Sequence, residues 1–197
     1  MKVQHKFDAD NLFFTADNHL CHENIITYCN RPFKDAHHMN EVLIKNWNEV
    51  VPEDADVIIG GDFIHTGQID SVRRIVNSLN GRKSLIYGNH DFQNRLDRPI
   101  FEDLFELRAD VVNILVNDPE YKSPINIFVS HYPHLYWPRG CYHIHGHIHS
   151  GPASTSSEKA PFHPLRYDIG CDNNLHKPIP YKHLMNIFKN QLNKTNG

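Results

Sequence analysis

Five short polar clusters carry the residue types that bind divalent metal ions, and each follows an apolar run. They are Asp17-Asn18-His19, Gly61-Asp62, Gly88-Asn89-His90-Asp91, Ser130-His131 and Gly146-His147-Ile148-His149. Together they offer carboxylate, amide-oxygen and imidazole ligands from five places in the chain. Two adjacent metal ions need more ligands than one loop can provide, so these clusters predict a site assembled from several strand ends.

Histidine is unusually frequent in the chain, with 16 residues compared with 3 Met and 4 Cys. The histidines are dispersed and lie beside Asp, Asn and Gly instead of forming a tract. An expression tag therefore does not explain them, whereas a histidine-rich metal site does.

The length of 197 residues predicts a single domain over 1–197, and a chain of this size buries roughly 70% of its unfolded surface. Hydrophobic residues make up 40% of the chain and charged residues 22%, which is ordinary for a globular protein. The net charge of −3 argues against a broad basic face for duplex nucleic acid. It permits a small, locally positive pocket for phosphate.

The compartment is predicted from the N-terminus and the cysteines. The first six residues contain no apolar leader segment and no stretch approaches 18 apolar residues, so we expect neither a signal peptide nor a membrane span. The four cysteines form no CxxC pair and no dense disulfide framework. We therefore expect a cytoplasmic, reduced protein whose cysteines are small buried apolar residues.

The first half of the chain predicts alternating strands and helices. Strands are predicted over 12–16, 56–59 and 84–87, with helices over 39–50 and 69–79 between them. Asp35 is placed to cap the first helix and Pro52 to end it. A β-α-β-α-β series of this kind implies parallel strands joined by right-handed crossovers.

The second half predicts strands joined by loops and a C-terminal helix. The strands are expected over 111–116, 125–129, 142–145 and 166–169, and the amphipathic helix over 181–192. Residues 150–161, rich in Ser, Pro and Ala, predict an exposed loop. The expected fold class is α/β, a four-layer α-β-β-α sandwich of two mixed β-sheets flanked by helices.

Ligands in open α/β sheets collect outside the carboxyl ends of the strands. The candidate ligands that follow a predicted strand are Asp17, Asp62, Asn89, His131, His147 and His149. One layout rule thus accounts for every cluster. Each motif alone is common by chance, but their ordered combination is specific.

The ordered set resembles the calcineurin-like metallophosphoesterase superfamily, whose pattern is Asp-x-His, Gly-Asp, Gly-Asn-His-Asp or Glu, a later His, then Gly-His-x-His. Within it, the chain is most similar to small single-domain bacterial and phage phosphoesterases. The shared segments are Phe14-Thr15-Ala16-Asp17-Asn18-His19, Asn24-Ile25-Ile26, Arg31-Pro32-Phe33, Gly61-Asp62-Phe63, Ser130-His131-Tyr132-Pro133, His145-Gly146-His147-Ile148-His149 and Gly170-Cys171-Asp172-Asn173. The resemblance covers residues 12–180, nearly the whole chain.

The resemblance implies two metal sites that share one carboxylate. Metal one would be held by Asp17, His19, Asp62 and His149. Metal two would be held by Asp62, Asn89, His131 and His147. A carboxylate can bridge two cations, while amide oxygens and imidazoles bind without cancelling the charge. The implied cofactors are two divalent metal ions, manganese first, with iron, nickel or zinc as alternatives.

The implied reaction is hydrolysis of a phosphate ester by attack of a metal-bridging hydroxide on phosphorus. Two dications, two aspartates and one hydroxide leave a positive pocket that suits such an ester. His90 is expected to stabilise the transition state or protonate the leaving group, and Asp91 to orient His90. The expected substrates are phosphorylated small molecules, nucleotides or nucleic-acid phosphate esters. Phosphodiesters are favoured because the chain has no added cap domain over the site.

Several residues near these motifs have two interpretations each. His22 and Arg31 are expected to bind substrate. The alternative is a structural role for His22 and a solvated or helix-capping arginine for Arg31. His65 departs from the related proteins, which usually lack a histidine there, and either supports a metal ligand or fills a loop. The aromatic segment 132–139 is either a packed loop or one wall of the substrate pocket, stacking on a base or ring.

Two other functions compete with phosphoester hydrolysis. The first is a non-catalytic module that binds metal and nucleotide as a sensor or scaffold, and the presence of His90 beside every expected ligand argues against it. The second is a nucleic-acid-binding protein with a structural metal. The acidic net charge and the lack of a basic stripe disfavour it.

Overall fold

The computed structural model describes residues 5–195, and residues 1–4 and 196–197 lie outside it. Most of the six N-terminal residues used to predict the lack of a signal peptide therefore lie outside the described residues. Its strands are β1 (His5–Asp8), β2 (Leu12–Thr15), β3 (Asp56–Ile59), β4 (Arg82–Ile86), β5 (Leu107–Ala109), β6 (Val111–Asn117), β7 (Ile125–Ser130), β8 (Cys141–His145), β9 (Arg166–Asp168) and β10 (Ile179–Pro180). Its α-helices are α1 (Glu23–Tyr28), α2 (Ala36–Val50), α3 (Ile69–Ser78), α4 (Asn89–Gln93) and α5 (Tyr181–Thr195).

The strands form two five-stranded mixed sheets. In the first, the order is β10-β2-β3-β4-β5, and only the edge strand β10 runs antiparallel to its neighbour. In the second, the order is β1-β6-β7-β8-β9, with β6 and β7 antiparallel and the other pairs parallel. The predicted fold class, two mixed sheets flanked by helices, is confirmed.

Consecutive side chains of β2 and β3 point to opposite faces of the sheet, and this divides the apolar core into two clusters. Phe13 and Val57 pack on the helices, in a cluster that includes Trp47 of α2 and Val76 of α3. Phe14 and its register partner Ile58 point the other way, into a second cluster between the sheets with Ile127 and Ile144. Because consecutive side chains of a strand face opposite sides, these short apolar strands bury both faces.

Helix α2 follows the sequence prediction closely. The Asp35 carboxylate accepts a hydrogen bond of 2.7 Å from the backbone N–H of His38, and so caps the helix. Met39, Leu43 and Trp47 are buried at intervals of four residues, which places them on one face.

Helix α5 covers one end of the inter-sheet core through Leu184, Met185 and Phe188. Within residues 5–195, no helix combines the length and the apolar character needed to cross a bilayer. The four cysteines are free; Cys29, Cys141 and Cys171 are buried as expected, and Cys21 is half-buried.

The two sheets meet at their carboxyl ends. The backbone N–H of Asp17, directly after β2, donates to the Gly61 carbonyl after β3 at 2.9 Å. Gly146, after β8, donates to the carbonyl of His131, after β7, at 3.0 Å. A backbone bridge between Ala16 and Gly170 joins one sheet to the other. This junction is where the five polar clusters lie.

Candidate metal centre

Seven predicted ligands lie on the loops that follow five strands. Those of the first sheet follow β2, β3 and β4, and those of the second follow β7 and β8. The residues are Asp17, His19, Asp62, Asn89, His131, His147 and His149. These residues therefore lie at the carboxyl ends of strands, where ligands gather in α/β sheets.

The first cluster brings together a carboxylate oxygen of Asp17 and one ring nitrogen each of His19 and His149, all within 4.8 Å of one another. Asp17 is fully buried, and both of its carboxylate oxygens accept from the backbone N–H of His147 at 2.9 Å. These are three of the four ligands predicted for metal one.

The second cluster brings together Asp62, His131 and His147, again with ligand atoms within 4.8 Å of one another. Asn89, the remaining ligand predicted for metal two, is the first residue of α4. Its side-chain oxygen accepts a hydrogen bond of 3.2 Å from the Tyr132 hydroxyl.

One oxygen of Asp62 lies between the two clusters. Its Oδ2 is 3.5 Å from His19 Nε2 and 3.4 Å from His131 Nε2. Its Oδ1 accepts from the backbone N–H of His90 at 2.9 Å, which fixes the carboxylate. Asp62 is the residue predicted to be shared by the two ions.

The ring nitrogens of three candidate ligands have a common arrangement. The Nδ1 atoms of His131, His149 and His19 lie 2.9, 2.7 and 3.2 Å from the Gly60 carbonyl, the Asp172 carboxylate and His22 Nδ1, respectively. Among the described atoms, His19 Nε2 and His131 Nε2 are buried and have no hydrogen-bond partner. A partner on Nδ1 orients an imidazole so that Nε2 can bind a metal. This donor set fits divalent metal ions.

Backbone strain is concentrated at the same loops. Asp17, His19, Asp62, His147 and His149 all have φ between +48° and +72°, a region that residues other than glycine rarely adopt. Such conformations persist only where the surrounding structure enforces them, and they cluster at functional sites.

Three glycines allow the backbone to approach the carboxylates closely. A Cβ atom on Gly146 would lie 2.7 Å from Asp17 Oδ2, and one on Gly170 would lie 2.6 Å from the same oxygen. A Cβ on Gly88 would collide with Asp62 Oδ1. Side chains at these positions would displace the candidate ligands.

Burial and the charges of neighbouring groups act in opposite directions on the pKa values of Asp17, His131 and His149. Complete burial raises the pKa of Asp17 to about 7, although His149 and His131 oppose the rise. Burial alone would lower the pKa of His131, but its contact with Asp62 and the charge of Asp17 raise it to about 9. Burial alone would also lower the pKa of His149, but the carboxylates of Asp17 and Asp172 raise it to about 11.

His19 differs from these two histidines. Burial lowers its pKa well below the usual value, and the neighbouring rings of His149, His90 and His22 lower it further. His19 is therefore neutral, which is the form that binds a cation.

The predicted catalytic residue His90 faces the candidate centre. Its ring centroid is 5.0 Å from that of His19, and its Nδ1 atom is buried with no partner among the described residues. A cleft of about 550 Å³ opens beside it, lined also by His22, Tyr28 and His149.

The prediction that Asp91 orients His90 is wrong. Its buried carboxylate accepts backbone hydrogen bonds from Gly88 and Asp62 at 2.8 Å and from Phe63 at 2.9 Å. These three bonds join the loop after β4 to the loop after β3. Asp91 thus holds the loops that carry Asp62 and Asn89.

The prediction that Arg31 binds substrate is also wrong. Its side chain is fully buried and forms two hydrogen bonds of 2.8 Å to the carboxylate of Asp172. It also donates to the backbone carbonyls of Asp17 and Asn18, at 2.6 and 2.9 Å. With its donors used internally, Arg31 has a structural role, and it is neither the solvated nor the helix-capping arginine that was its alternative.

His22 and His65 form a parallel stack beside His90. Their ring centroids are 3.8 Å apart with an angle of 10° between the planes, and His90 lies 5.6 and 5.2 Å from them. The side-chain amide of Asn94 contacts His65 Nδ1 at 3.3 Å. His65 therefore supports His22, which lines the cleft.

Two residues of the centre were not identified from the sequence. Asp172, which links Arg31 to His149, lies in a shared segment of the resemblance but had no assigned role. Cys29 joins it, since its sulfur lies within 4.8 Å of ligand atoms of His149 and Asp172. No local pattern predicts these contacts, because Asp172 is 23 residues from His149 and 141 residues from Arg31.

The chain is similar in sequence to proteins of two mycobacteriophages. The gene 66 protein of Mycobacterium phage L5 is 30% identical over 165 residues, which cover 71% of this chain and 78% of that protein. The chain belongs to the gene 66 protein family. The gene 66 protein of Mycobacterium phage D29 is 28% identical over 167 residues, covering 71% of this chain and 79% of that one.

The chain is also similar to an archaeal protein over a shorter region. The uncharacterized protein MJ1445 of Methanocaldococcus jannaschii is 43% identical over 81 residues, which are 41% of this chain and 46% of that protein. The match thus spans less than half of the archaeal protein. No protein-family profile matches the chain.

Two solved structures were superposed on this gene 66 family member. The protein of unknown function AQ665 from Aquifex aeolicus superposes with a TM-score of 0.64 and 23% identity, over 89% of this chain and 98% of that chain. Nuclease MPE of Pseudomonas putida superposes with a TM-score of 0.44 and 20% identity, over 72% and 62% of the two chains. The first similarity establishes a common fold, and the second is below the level that does so.

Proposed function

We propose that the protein is a metal-dependent phosphoesterase of the calcineurin-like type, with two divalent ions and a preference for phosphodiesters of the nucleotide kind. Metal one is assigned to Asp17, His19, Asp62 and His149. Metal two is assigned to Asp62, Asn89, His131 and His147. Manganese is the first choice for both ions.

The observation that carries this proposal is the position of Asp62 Oδ2. The same oxygen is within 3.5 Å of two buried imidazole nitrogens that have no hydrogen-bond partner among the described residues, one in each cluster. A single metal would use only one cluster, whereas two ions sharing a carboxylate use both. Bound there, the ions would supply Lewis-acid polarisation of the phosphoryl oxygens and an activated water.

The chain's own residues hold this arrangement and select the charge of the substrate. Gly60 and Asp172 keep His131 and His149 turned toward the centre. Tyr132 donates a hydrogen bond to the amide oxygen of Asn89, which would bind an ion without adding negative charge. With only Asp17 and Asp62 as anionic ligands for two dications, the pocket remains positive and attracts a phosphate ester.

His90 is assigned to the leaving group. It lies at the wall of the cleft, and its backbone N–H is fixed by Asp62 Oδ1 at 2.9 Å. Its buried Nδ1 atom has no hydrogen-bond partner among the described residues, so no internal contact fixes the protonation of the ring that lines the cleft. His22, supported by His65, forms the adjacent wall.

The test is a paired assay of chromogenic phosphate mono- and diesters with manganese, nickel, zinc and magnesium. Asp62→Asn should abolish turnover because it removes the shared anionic ligand. Asp56→Asn is the matched control. Asp56 begins β3, the strand that precedes Asp62, but it forms a partly exposed ion pair with Arg82. The control variant should retain wild-type activity.

Failure of the wild-type protein to cleave any ester under every metal would remove the proposal. If such a protein still bound nucleotide in a metal-dependent way, the sensor or scaffold function would replace it. Equal activity of Asp62→Asn and wild type would show that any hydrolysis occurs elsewhere.

A further inference from the structure

A group of exposed aromatic and aliphatic side chains lies on the loops that lead into β8 and β9, beginning directly after the candidate ligand His131. Tyr132, Leu135, Tyr136 and Phe162 are 49%, 68%, 90% and 69% exposed. They are four of the nine large hydrophobic side chains that are exposed in the described part of the chain. Exposed apolar surface gathered in one region marks an interaction site, whereas single exposed residues do not.

Tyr132 connects this group to the centre. Its hydroxyl donates to Asn89 Oδ1 at 3.2 Å, and its ring centroid is 4.5 Å from that of His147. Leu135 and Tyr136 follow three and four residues later. Four residues span at most about 14 Å, which equals about four nucleotides of a stacked strand at 3.4 Å each.

The exposed side chains are carried by a well-packed segment. The indole N–H of Trp137 donates to the Cys141 carbonyl at 2.9 Å, and its ring centroid lies 5.0 Å from His143 and 4.6 Å from His163. Trp137 therefore fixes the segment to the second sheet while the neighbouring Tyr136 points to solvent. Rigid aromatic side chains bind with little loss of conformational entropy.

A cleft of about 280 Å³ lies within this surface. It is lined by Leu135, Tyr136, Trp137, Arg139 and His163 among others. Arg139 is exposed and lines the same cleft as Tyr136 and Trp137. An arginine beside aromatic faces is a combination that binds a base and its phosphate.

Arg139 supplies positive charge at this cleft, and no carboxylate is among the described residues that line it. The chain as a whole has a net charge of −3. A phosphate group bound in the cleft therefore meets a cation and no neighbouring acidic side chain from its described lining.

We propose that the surface of Leu135, Tyr136, Arg139 and Phe162 binds single-stranded nucleic acid and directs it into the candidate metal centre. This inference rests on the proposed phosphoesterase function and names its substrate class. Single-stranded bases expose the faces that stack on Tyr136 and Phe162, whereas a duplex hides them. A free nucleotide or small phosphate ester would not need a surface that extends away from the centre.

The experiment compares substrates with and without bases, using the manganese-loaded full chain. The variant Tyr136→Ala/Phe162→Ala should reduce kcat/KM for oligo(dT) or oligo(rU) by about 10²- to 10⁴-fold, because it removes two base stacks that are each worth about 10- to 100-fold. Turnover of bis(p-nitrophenyl) phosphate should not change. Comparison of the DNA and RNA oligomers shows which of the two nucleic acids the surface binds.

The matched control is Ile100→Ala/Leu175→Ala, which removes two exposed side chains elsewhere, 43% and 83% exposed. It should leave both substrates unaffected. Tyr136→Trp should preserve oligonucleotide turnover, because it keeps a stacking face.

Three results would overturn the inference: no loss on oligonucleotides, an equal loss on both substrates, or duplex cleaved in preference to single strands. Loss of a wild-type dimer in the double variant would instead identify this face as a self-association surface, and would also overturn it. If wild type cleaves nothing, the proposed function fails separately. Fluorescence anisotropy with labelled oligo(dT) then tests the surface alone, and unchanged affinity in the double variant rejects it.

Discussion

At the scale of single residues, the candidate centre combines deep burial with ring nitrogens that lack partners. An unpaired buried polar group costs about 1–3 kcal/mol. His19, which is neutral, carries one such nitrogen beside Asp62. A bound cation would remove this cost, so the site is arranged for an ion at the expense of the metal-free protein.

Metal affinity should rise with pH between about 6 and 8. In the metal-free protein the pKa values of His131 and His149 are raised to about 9 and 11, so both rings are protonated at pH 7. A cation binds the neutral ring and must displace these protons, and Asp17, with a pKa near 7, adds a further proton at lower pH. Calorimetric titration with manganese in two buffers of different ionisation enthalpy measures the protons released.

The control for this measurement is His149→Gln, which should release about one proton fewer per chain. Affinity that is independent of pH in wild type would mean that the cation does not contact these histidines.

Replacing His90 separates catalysis from metal binding. His90→Gln should lower kcat by about 10²–10⁴-fold while the metal content stays unchanged, because His90 is assigned to proton transfer and not to the ligand set. Turnover of a diester with an activated leaving group should fall less than that of an alkyl diester. A wild-type rate on both esters would remove His90 from the reaction.

At the scale of elements, the centre depends on contacts between loops far apart in sequence. Arg31, after α1, binds Asp172, after β9, and also the carbonyls of the loop after β2. Asp172 in turn orients His149. One buried ion pair thus joins three loops around metal one.

Arg31→Met should destabilise the protein by about 3–5 kcal/mol, because it leaves the buried Asp172 carboxylate without its cation. The control Arg73→Met breaks the partly exposed ion pair with Asp103 and should cost less than about 1 kcal/mol. Urea denaturation of both variants measures the difference. Similar small losses for both would contradict the structural role of Arg31.

The sequence predicts the elements whose pattern is local. Strands β2 and β3, helix α2 with its cap at Asp35, and the placement of ligands after strands all follow from apolar periodicity and one layout rule. The short edge strands β5 and β10 and the brief helices α1 and α4 are not predicted. Their apolar runs are too short to show a period.

The errors at the centre have a common physical cause. Arg31 and Asp91 are charged residues beside ligand motifs, which favours a functional role from sequence alone. Each is instead satisfied by partners from distant loops, and only the folded chain reveals these partners. The left-handed backbone at Asp17 and Asp62 is equally invisible to local pattern, because tertiary contacts impose it.

At the scale of the whole molecule, each cluster takes ligands from both sheets. Asp17 and His19 follow the first sheet and His149 the second, while Asp62 follows the first and His131 and His147 the second. Two bound ions would therefore link the sheets at their carboxyl ends. The fold and the proposed chemistry depend on the same junction.

The most direct test of the account is the metal content of the full chain after loading with manganese and removal of free ions by gel filtration. Elemental analysis should find two manganese ions per chain in wild type and fewer than two in Asp62→Asn, with Asp56→Asn equal to wild type. A wild-type protein that retained no manganese, nickel or zinc, or one that never exceeded a single ion, would contradict the paired centre.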